Sequence, residues 1–283
     1  MSCWAAEAPL HLSIVWIPVW ARDPRTTGSL GAGLVLEPPV RVVACSGSGV
    51  EGPLPGPARR CLEALGWRGD AALRVEAPYP LGYGLGLSGA VALAACAAYA
   101  AHRGLSVLRA ADEAHVAEVL ESTGLGDVTA VYTAWGLEVR IRPGAPGAGG
   151  LAEPIPLEPR VVYAVPVAAG DTRTEITRAE ELGDAARHAY EAIRREPSLE
   201  ALAEAAEVFT MRATPPPPRV ARLIAELRRV SDLVVYKKGT LAVVPSEGLE
   251  EEARALLSTL GEVYTLRIAT RRFTLEYLAE PRG

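Results

Sequence analysis

The first half of the chain alternates between short apolar, β-branched runs and segments rich in glycine and proline. This pattern is typical of strands joined by turns, with helices where apolar positions recur every three to four residues. The predicted strands span 10–19, 34–36, 40–45, 72–77, 128–133 and 137–141, and the predicted helices span 58–65, 87–103 and 110–122. We therefore expect one strand, at 72–77, to lead through a glycine-rich segment directly into a helix.

The helix predicted at 87–103 is apolar on nearly every face. A membrane span needs about 20 strongly apolar residues, whereas this segment consists mostly of alanine. The pattern therefore favours a central helix buried inside a folded domain.

The second half follows a connector at 143–159 that is rich in glycine and proline. Strands are predicted at 161–167, 233–236, 241–244 and 263–268, and helices at 178–195, 199–211, 220–229 and 249–260. The sequence thus predicts a mixed α/β (α+β) protein of two domains, 1–155 and 156–283. We expect a mixed or antiparallel sheet in the first domain.

Composition narrows the class of protein. The 283 residues are 49% hydrophobic and 22% charged, which is the range of folded globular chains. A net charge of −5 argues against a broad nucleic-acid-binding surface, which needs clustered basic residues. The N-terminus carries no basic segment of the kind that precedes a secretory signal, so we expect a cytoplasmic protein. The chain has no Asn and no Gln, a composition that fits a thermophile.

The cysteines and histidines do not form a recognisable metal site. Four widely spaced cysteines, Cys3, Cys45, Cys61 and Cys96, lack zinc-finger spacing, and we expect them to be buried as small hydrophobic side chains. The four histidines also lack any metal-binding pattern.

The glycine-rich segment is the strongest chemical signal. It runs from Pro80 to Ala90 and reads Pro-Leu-Gly-Tyr-Gly-Leu-Gly-Leu-Ser-Gly-Ala. Alternating glycines let a backbone approach a ligand closely, and the N-terminus of the following helix favours phosphate. The spacing matches neither the dinucleotide fingerprint nor the Walker loop. A tight turn capped by Ser88 is the structural alternative.

This segment resembles the second motif of the GHMP kinases, Pro-x-Gly-x-Gly-Leu-Gly-x-Ser-x-Ala, at seven positions. A second stretch pairs Ala114-His115-Val116-Ala117-Glu118-Val119 with Thr123-Gly124-Leu125-Gly126-Asp127-Val128, and it resembles the archaeal pantoate kinase branch of that family. Two shorter stretches, 28–33 and 141–144, resemble the same branch. The resemblance implies the two-domain GHMP kinase fold, with a ferredoxin-like C-terminal domain and ATP and Mg²⁺ as cofactors.

The resemblance also implies roles for individual residues. Asp127 would accept the hydroxyl proton of the acceptor, and Ser88 and Glu118 would hold magnesium. The residues implied to contact ATP are Pro80, Gly82, Tyr83, Gly84, Leu85, Gly86, Leu87, Ser88, Gly89 and Ala90. The residues implied to contact the acceptor are Ser29, Gly31, Ala32, Gly33 and Arg173. The acceptor is expected to be pantoate, whose phosphorylation is a step towards coenzyme A. The alternatives are another small hydroxy acid or amino alcohol, such as homoserine or mevalonate, and a nucleotide sensor or partner subunit without turnover.

Two departures from the family pattern keep these alternatives open. The first motif, Pro-Gly-His-Ile-Thr-Gly-Phe-Phe, is expected at 17–24, where its His, Thr and Gly are missing. The third motif keeps one glycine in Tyr236-Lys237-Lys238-Gly239-Thr240, where the lysines either contact phosphate or lie in an exposed hairpin turn. Relatives in this branch suggest a homodimer, and we expect neither nucleic acid nor membrane as a partner.

Overall fold

The computed structural model describes residues 3–279, which fold around one extended sheet. The strands of this part of the chain are β1 (Cys3–Val19), β2 (Gly28–Cys45), β3 (Val50–Glu51), β4 (Ala72–Glu76), β5 (Leu137–Arg142), β6 (Leu151–Ile155), β7 (Val161–Pro166), β8 (Ser231–Lys237), β9 (Thr240–Pro245), β10 (Tyr264–Ile268) and β11 (Thr274–Leu278). Its helices are α1 (Gly56–Ala64), α2 (Leu87–His102), α3 (Val107–Glu121), α4 (Asp127–Thr133), α5 (Thr172–Leu182), α6 (Asp184–Arg195), α7 (Leu199–Arg212), α8 (Pro218–Leu227) and α9 (Glu250–Ser258). A short 3₁₀ turn covers Pro146–Ala148.

The strands follow the order β11-β1-β2-β10-β7-β9-β8, and β2 also pairs with β4 and β5. All pairs are antiparallel except β3 with β4. Strand β10 lies between β2 and β7, so it joins the strands of the two predicted halves into one sheet. The mixed α/β class predicted from the sequence is confirmed.

Helix α2 is the centre of the N-terminal core. Every residue of this helix from Gly89 to Ala100 is buried, and the helix packs against β1, β2, α1 and α3. Small alanine side chains let these neighbours approach closely while apolar surface is removed from water. Among residues 3–279, no helix is long and apolar enough to span a lipid bilayer.

Several predicted elements need correction. The strand expected at 128–133 is helix α4, although its β-branched residues favour a strand. The helix is stabilised by tertiary contacts, since Val128 and Val131 are buried and the Thr129 hydroxyl donates to the Gly144 carbonyl at 2.8 Å. This helix begins at Asp127, so the correction changes how the aspartate is presented.

Other corrections concern boundaries. The strands predicted at 34–36 and 40–45 are one strand, β2, which pairs with β1 over nearly its whole length. The helix predicted at 178–195 is two helices, α5 and α6, because Gly183 adopts φ 50° and ψ −114° between them. Strand β6 lies within the predicted connector, and β11 was not predicted.

The four cysteines form two disulfides, Cys3–Cys45 and Cys61–Cys96. Cys61 and Cys96 are fully buried, as expected, whereas Cys3 and Cys45 are only partly buried, and all four are cross-linked. The first disulfide joins β1 to β2, and the second joins α1 to α2.

Candidate active site

A cavity of about 190 Å³ lies where the glycine-rich segment 80–90 meets the N-terminus of α4, the tip of the β8–β9 hairpin and the first turns of α5. Its walls combine residues from both predicted domains. Among the cavity-lining residues are Ser29, Gly82, Gly84, Gly86, Leu87, Ser88 and Asp127, all of them predicted from the sequence. The cavity is therefore the candidate active site.

The glycine-rich segment forms a loop of left-handed backbone immediately before α2. Gly82, Gly84 and Gly86 have φ of 89°, 78° and 60°, and Leu85 between them has φ 56°. Such conformations favour glycine and turn successive N–H groups towards one side. Helix α2 then begins at Leu87. The loop has the geometry of an anion-binding site at a helix N-terminus.

The other members of this segment have supporting positions. Pro80, Tyr83, Leu85, Gly89 and Ala90 do not line the cavity. The Leu85 carbonyl accepts a hydrogen bond from the backbone of His11 at 2.9 Å, which fixes the loop on β1. Leu85, Gly89 and Ala90 are buried in the protein interior.

Glu118 is completely buried on α3 under this loop. A Cβ on Gly89 would lie 2.6 Å from its Oε1 and 2.8 Å from its Oε2, and a Cβ on Gly124 would lie 2.7 Å from Oε1. Only glycine at these two positions leaves room for the carboxylate. Within residues 3–279, neither Oε atom makes a hydrogen bond of ordinary geometry.

The pKa of Glu118 is raised well above its ordinary value. Burial is the largest cause and the nearby charge of Asp127 is the second. The Val128 N–H, the Lys238 charge and the Ser88 hydroxyl lower this pKa in part. A buried carboxylate without partners is costly unless a cation or hydrogen bonds compensate it. With Ser88 beside it, Glu118 therefore has the donor chemistry of a divalent-cation site.

Asp127 faces the cavity from the first residue of α4. Its side chain is 20% exposed, and its Oδ1 lies 2.6 Å from His11 Nδ1. Burial alone would raise the pKa of Asp127. The His11 hydrogen bond and charge, with the charges of Lys237 and Arg140, outweigh burial and lower this pKa to about 2. Asp127 is therefore ionised at neutral pH.

His11 joins Asp127 to a buried ion pair. Its Nε2 lies 2.8 Å from Glu138 Oε1, and Arg140 donates to the same Glu138 oxygen. Burial alone would lower the pKa of His11, but the Glu138 charge and the hydrogen bonds to both carboxylates outweigh it and raise this pKa. The two carboxylates therefore favour the protonated imidazole, whereas Arg140 Nη1, 3.0 Å from His11 Nε2, opposes it.

His11 and the ion pair beside it were not predicted from the sequence, although the sequence contains a signal for His11. Pro9-x-His11-x-Ser13 has the spacing of Pro-x-His-x-Thr in the first family motif. The placement of that motif at 17–24 is wrong, since none of those residues lines the cavity, whereas His11 and Ser13 do.

Arg140 is the largest fully buried side chain among the described residues. Its Nη2 donates to Ser13 Oγ at 3.0 Å and to the Val15 carbonyl at 2.8 Å. Its Nε has no hydrogen-bond partner within residues 3–279. Arg140 also lines the cavity, so a guanidinium faces the space beside Asp127.

The residues predicted to contact the acceptor have different positions. Ser29 lines the cavity, whereas Gly31, Ala32 and Gly33 follow it in β2 without reaching the cavity surface. Arg173 is exposed in the first turn of α5 and is not among the cavity-lining residues.

The third-motif segment reaches the cavity from the β8–β9 hairpin. Lys237 and Lys238 both line it, so they do not lie in a solvent-exposed turn. The Thr240 hydroxyl donates to the Tyr83 carbonyl, and Tyr79 Oη lies 2.8 Å from the same hydroxyl. The hairpin is thereby fixed to the glycine loop.

Several known proteins resemble this chain in sequence. Residues 56–134 match the family described as GHMP kinases N terminal domain. The pantoate kinase of Thermococcus kodakarensis is 30% identical over 93% of this chain and 96% of its own length. The pantoate kinase of Methanocaldococcus jannaschii is 31% identical over 49% of this chain and 54% of its own length.

A solved structure described as a phosphotransferase related to the CoA biosynthesis pathway has a TM-score of 0.84 with this chain. It is 28% identical and covers 97% of this chain and 98% of its own. The predicted GHMP kinase-like fold is confirmed by this likeness. The relatives come from thermophilic archaea, in agreement with the thermophile indicated by the amide-free composition.

Proposed function

This chain belongs to the pantoate kinase family of the GHMP kinases, and we propose that it transfers the γ-phosphate of ATP to a hydroxyl group of pantoate, giving 4-phosphopantoate. The observation that carries the proposal is the meeting of an ionised Asp127 with a glycine phosphate loop in one cavity. The buried Glu118 carboxylate lies directly beside both. Phosphoryl transfer needs mainly these parts: a phosphate cradle, charge neutralisation and a positioned acceptor.

The glycine loop and the N-terminus of α2 bind the triphosphate in this proposal. The left-handed glycines let the backbone approach a phosphate closely, and the N–H groups of the first helical turn add positive potential there. Ser88 lies in that first turn and lines the cavity. The segment therefore offers several neutral donors to an anion without a cluster of basic side chains.

Glu118 and Ser88 would hold magnesium. The fit rests on the Glu118 carboxylate, which is buried, has no hydrogen bond of ordinary geometry in the described chain and is enclosed by two glycines. Carboxylate and hydroxyl oxygens are ligands that Mg²⁺ prefers. When bound, the metal neutralises charge on the β- and γ-phosphates.

Asp127 orients the acceptor hydroxyl and takes up its proton. With a pKa of about 2, it is a weak base, so proton uptake follows formation of the new oxygen–phosphorus bond. This order suits the loose transition state of phosphoryl transfer, in which the attacking hydroxyl needs alignment more than early deprotonation.

The acceptor carboxylate is placed beside Arg140 and Ser29. Both line the cavity, and the Arg140 Nε is a buried donor without a partner within residues 3–279. Guanidinium groups favour planar carboxylates. An acceptor role for Arg173 and the homodimer both stay predictions.

The test is direct detection of ADP with pantoate, homoserine and mevalonate offered separately. We expect turnover with pantoate and a loss of about 100-fold or more in kcat for Asp127→Asn, with ATP binding retained. Turnover with only another acceptor would refute the substrate and keep the reaction class. ATP binding without transfer to any acceptor would instead support a sensor.

A further inference from the structure

The chain contains only two lysines, Lys237 and Lys238, and all its other basic side chains except histidine are arginine. Both lysines lie at the tip of the β8–β9 hairpin and line the candidate active site. Lysine differs from arginine in carrying a compact charge on a flexible stem. Its restriction to this cavity indicates that a compact, movable cation is needed there.

The Lys237 ammonium is mostly buried in the cavity and has unused hydrogen-bonding capacity. Its side chain is 17% exposed, and its Nζ lies 3.4 Å from the centroid of the Trp16 ring. The Glu175 Oε2 atom lies 3.7 Å away, which is beyond hydrogen-bond distance. Within residues 3–279, the ammonium donates no hydrogen bond, although it has three N–H groups. The pKa of Lys237 is lowered by burial.

Lys237 lies near both the phosphate loop and Asp127. A Cβ on Gly84 would lie 3.1 Å from the Lys237 carbonyl, so the hairpin packs directly on the phosphate loop. On the other side, the Lys237 charge acts on Asp127. Lys237 thus lines the same cavity as the glycine loop and Asp127, and its charge acts on the carboxylate that orients the acceptor.

We propose that Lys237 is a further catalytic residue, whose ammonium binds the phosphoryl group as it passes from ATP to the acceptor. Glu175 and Trp16 hold the ammonium in the absence of nucleotide. The inference rests on the proposed function and adds a residue from the C-terminal half of the chain to it.

The step balances without proton exchange at Lys237. The bond between the γ-phosphorus and the bridging oxygen breaks, and its electron pair stays on the β-phosphate of ADP. The acceptor oxygen forms the new bond to phosphorus, and its proton goes to Asp127. Lys237 stays protonated throughout and stabilises the negative charge on the transferred group.

The experiment compares Lys237→Met with Arg222→Met, which removes a positive charge from an exposed position on α8 outside the cavity. We expect Lys237→Met to lower kcat by about 100-fold to 1,000-fold. The dissociation constant for ATP, measured by calorimetry, should change by less than about threefold. For Arg222→Met, kcat should stay within about threefold of the wild-type value.

Lys237→Arg and Lys237→Ala distinguish loss of the charge from a folding defect. The arginine variant restores the charge and should recover at least about tenfold of the lost kcat. Ethylammonium should raise the turnover of the alanine variant in a saturable way, which a structural role would not produce. Melting temperatures report folding of each variant.

The outcomes separate the two proposals. Wild-type turnover of pantoate together with a kcat of Lys237→Met near the wild-type value would overturn the role of Lys237 and leave the proposed function intact. Equal losses in Lys237→Met and Arg222→Met would also overturn it. Absence of wild-type turnover with pantoate would overturn the proposed function itself.

Discussion

Replacing His11 with glutamine tests whether an imidazolium keeps Asp127 ionised. Glutamine is neutral at every pH and places a polar group between Asp127 and Glu138. The distance between His11 Nδ1 and Asp127 Oδ1 is 2.6 Å, and the pKa of His11 is raised despite its burial. The substitution therefore removes the titratable group in direct contact with the candidate catalytic carboxylate, and with it the positive charge that Asp127 and Glu138 favour on His11.

The size of the effect follows from the environment of Asp127. An adjacent opposite charge lowers a carboxyl pKa by about 1 to 3. The pKa of Asp127 is about 2, against an ordinary value of 3.8. Without His11, burial acts against a weaker opposing field, and this pKa rises to the ordinary value or above it. Because a depressed pKa stabilises the folded state above the unfolded value, the variant should also lose about 1.5–3 kcal/mol at neutral pH.

The assay measures kcat/KM from about pH 4 to pH 8, with ADP quantified after quenching. The wild-type profile should show no acid limb from Asp127 in this range, whereas the His11→Gln profile should fall on its acid side. His188→Gln is the matched control, because His188 is exposed on α6. Superimposable profiles of the wild type and His11→Gln would refute the reasoning.

Two further predictions concern buried groups. Glu118→Gln should lower kcat by about 100-fold or more, and Mg²⁺ should raise the melting temperature of the wild type but not of the variant. Without metal the variant should be more stable at neutral pH by about 1–3 kcal/mol, since burial raises the pKa of Glu118 and so destabilises the folded wild type, and a destabilised variant would contradict this. Replacing Cys61 and Cys96 by alanine should cost about 2–4 kcal/mol in denaturant unfolding, because the disulfide joins α1 to α2. An unchanged free energy of unfolding would show that this cross-link does not stabilise the protein.

The sequence predicts the elements whose signal is local. Most strands and helices follow hydrophobic periodicity, and the glycine loop is recognisable because its residues are contiguous. Helix α4 is an element that the local sequence does not predict. Its residues favour a strand individually, but burial of one face and the Thr129–Gly144 hydrogen bond impose a helix. No window of sequence around 127–133 contains those partners.

The polar partners of Asp127 show the same limit at the site. His11 is 116 residues away from Asp127 in the chain, and 127 away from Glu138. The strand alternation that places Glu138 and Arg140 on one face is visible in the sequence. The face on which they lie is set by pairing of β5 with β2, which is a long-range contact.

The two candidate catalytic carboxylates show why residue type alone does not assign their roles. A Cβ on Gly124 would lie 2.7 Å from Glu118 Oε1 and 2.8 Å from Asp127 Oδ2, so both groups face the same small space. Asp127 has His11 and two basic side chains near it, and its pKa falls. For Glu118, burial and the charge of Asp127 outweigh the groups that lower the pKa, and its pKa rises. Neighbouring titratable groups whose pKa values move apart mark a division of labour. Asp127 is ionised without a ligand and can orient a hydroxyl at once, whereas a cation beside Glu118 would favour its charged form. The structure thereby gives a physical reason for metal and acceptor to be held by different carboxylates.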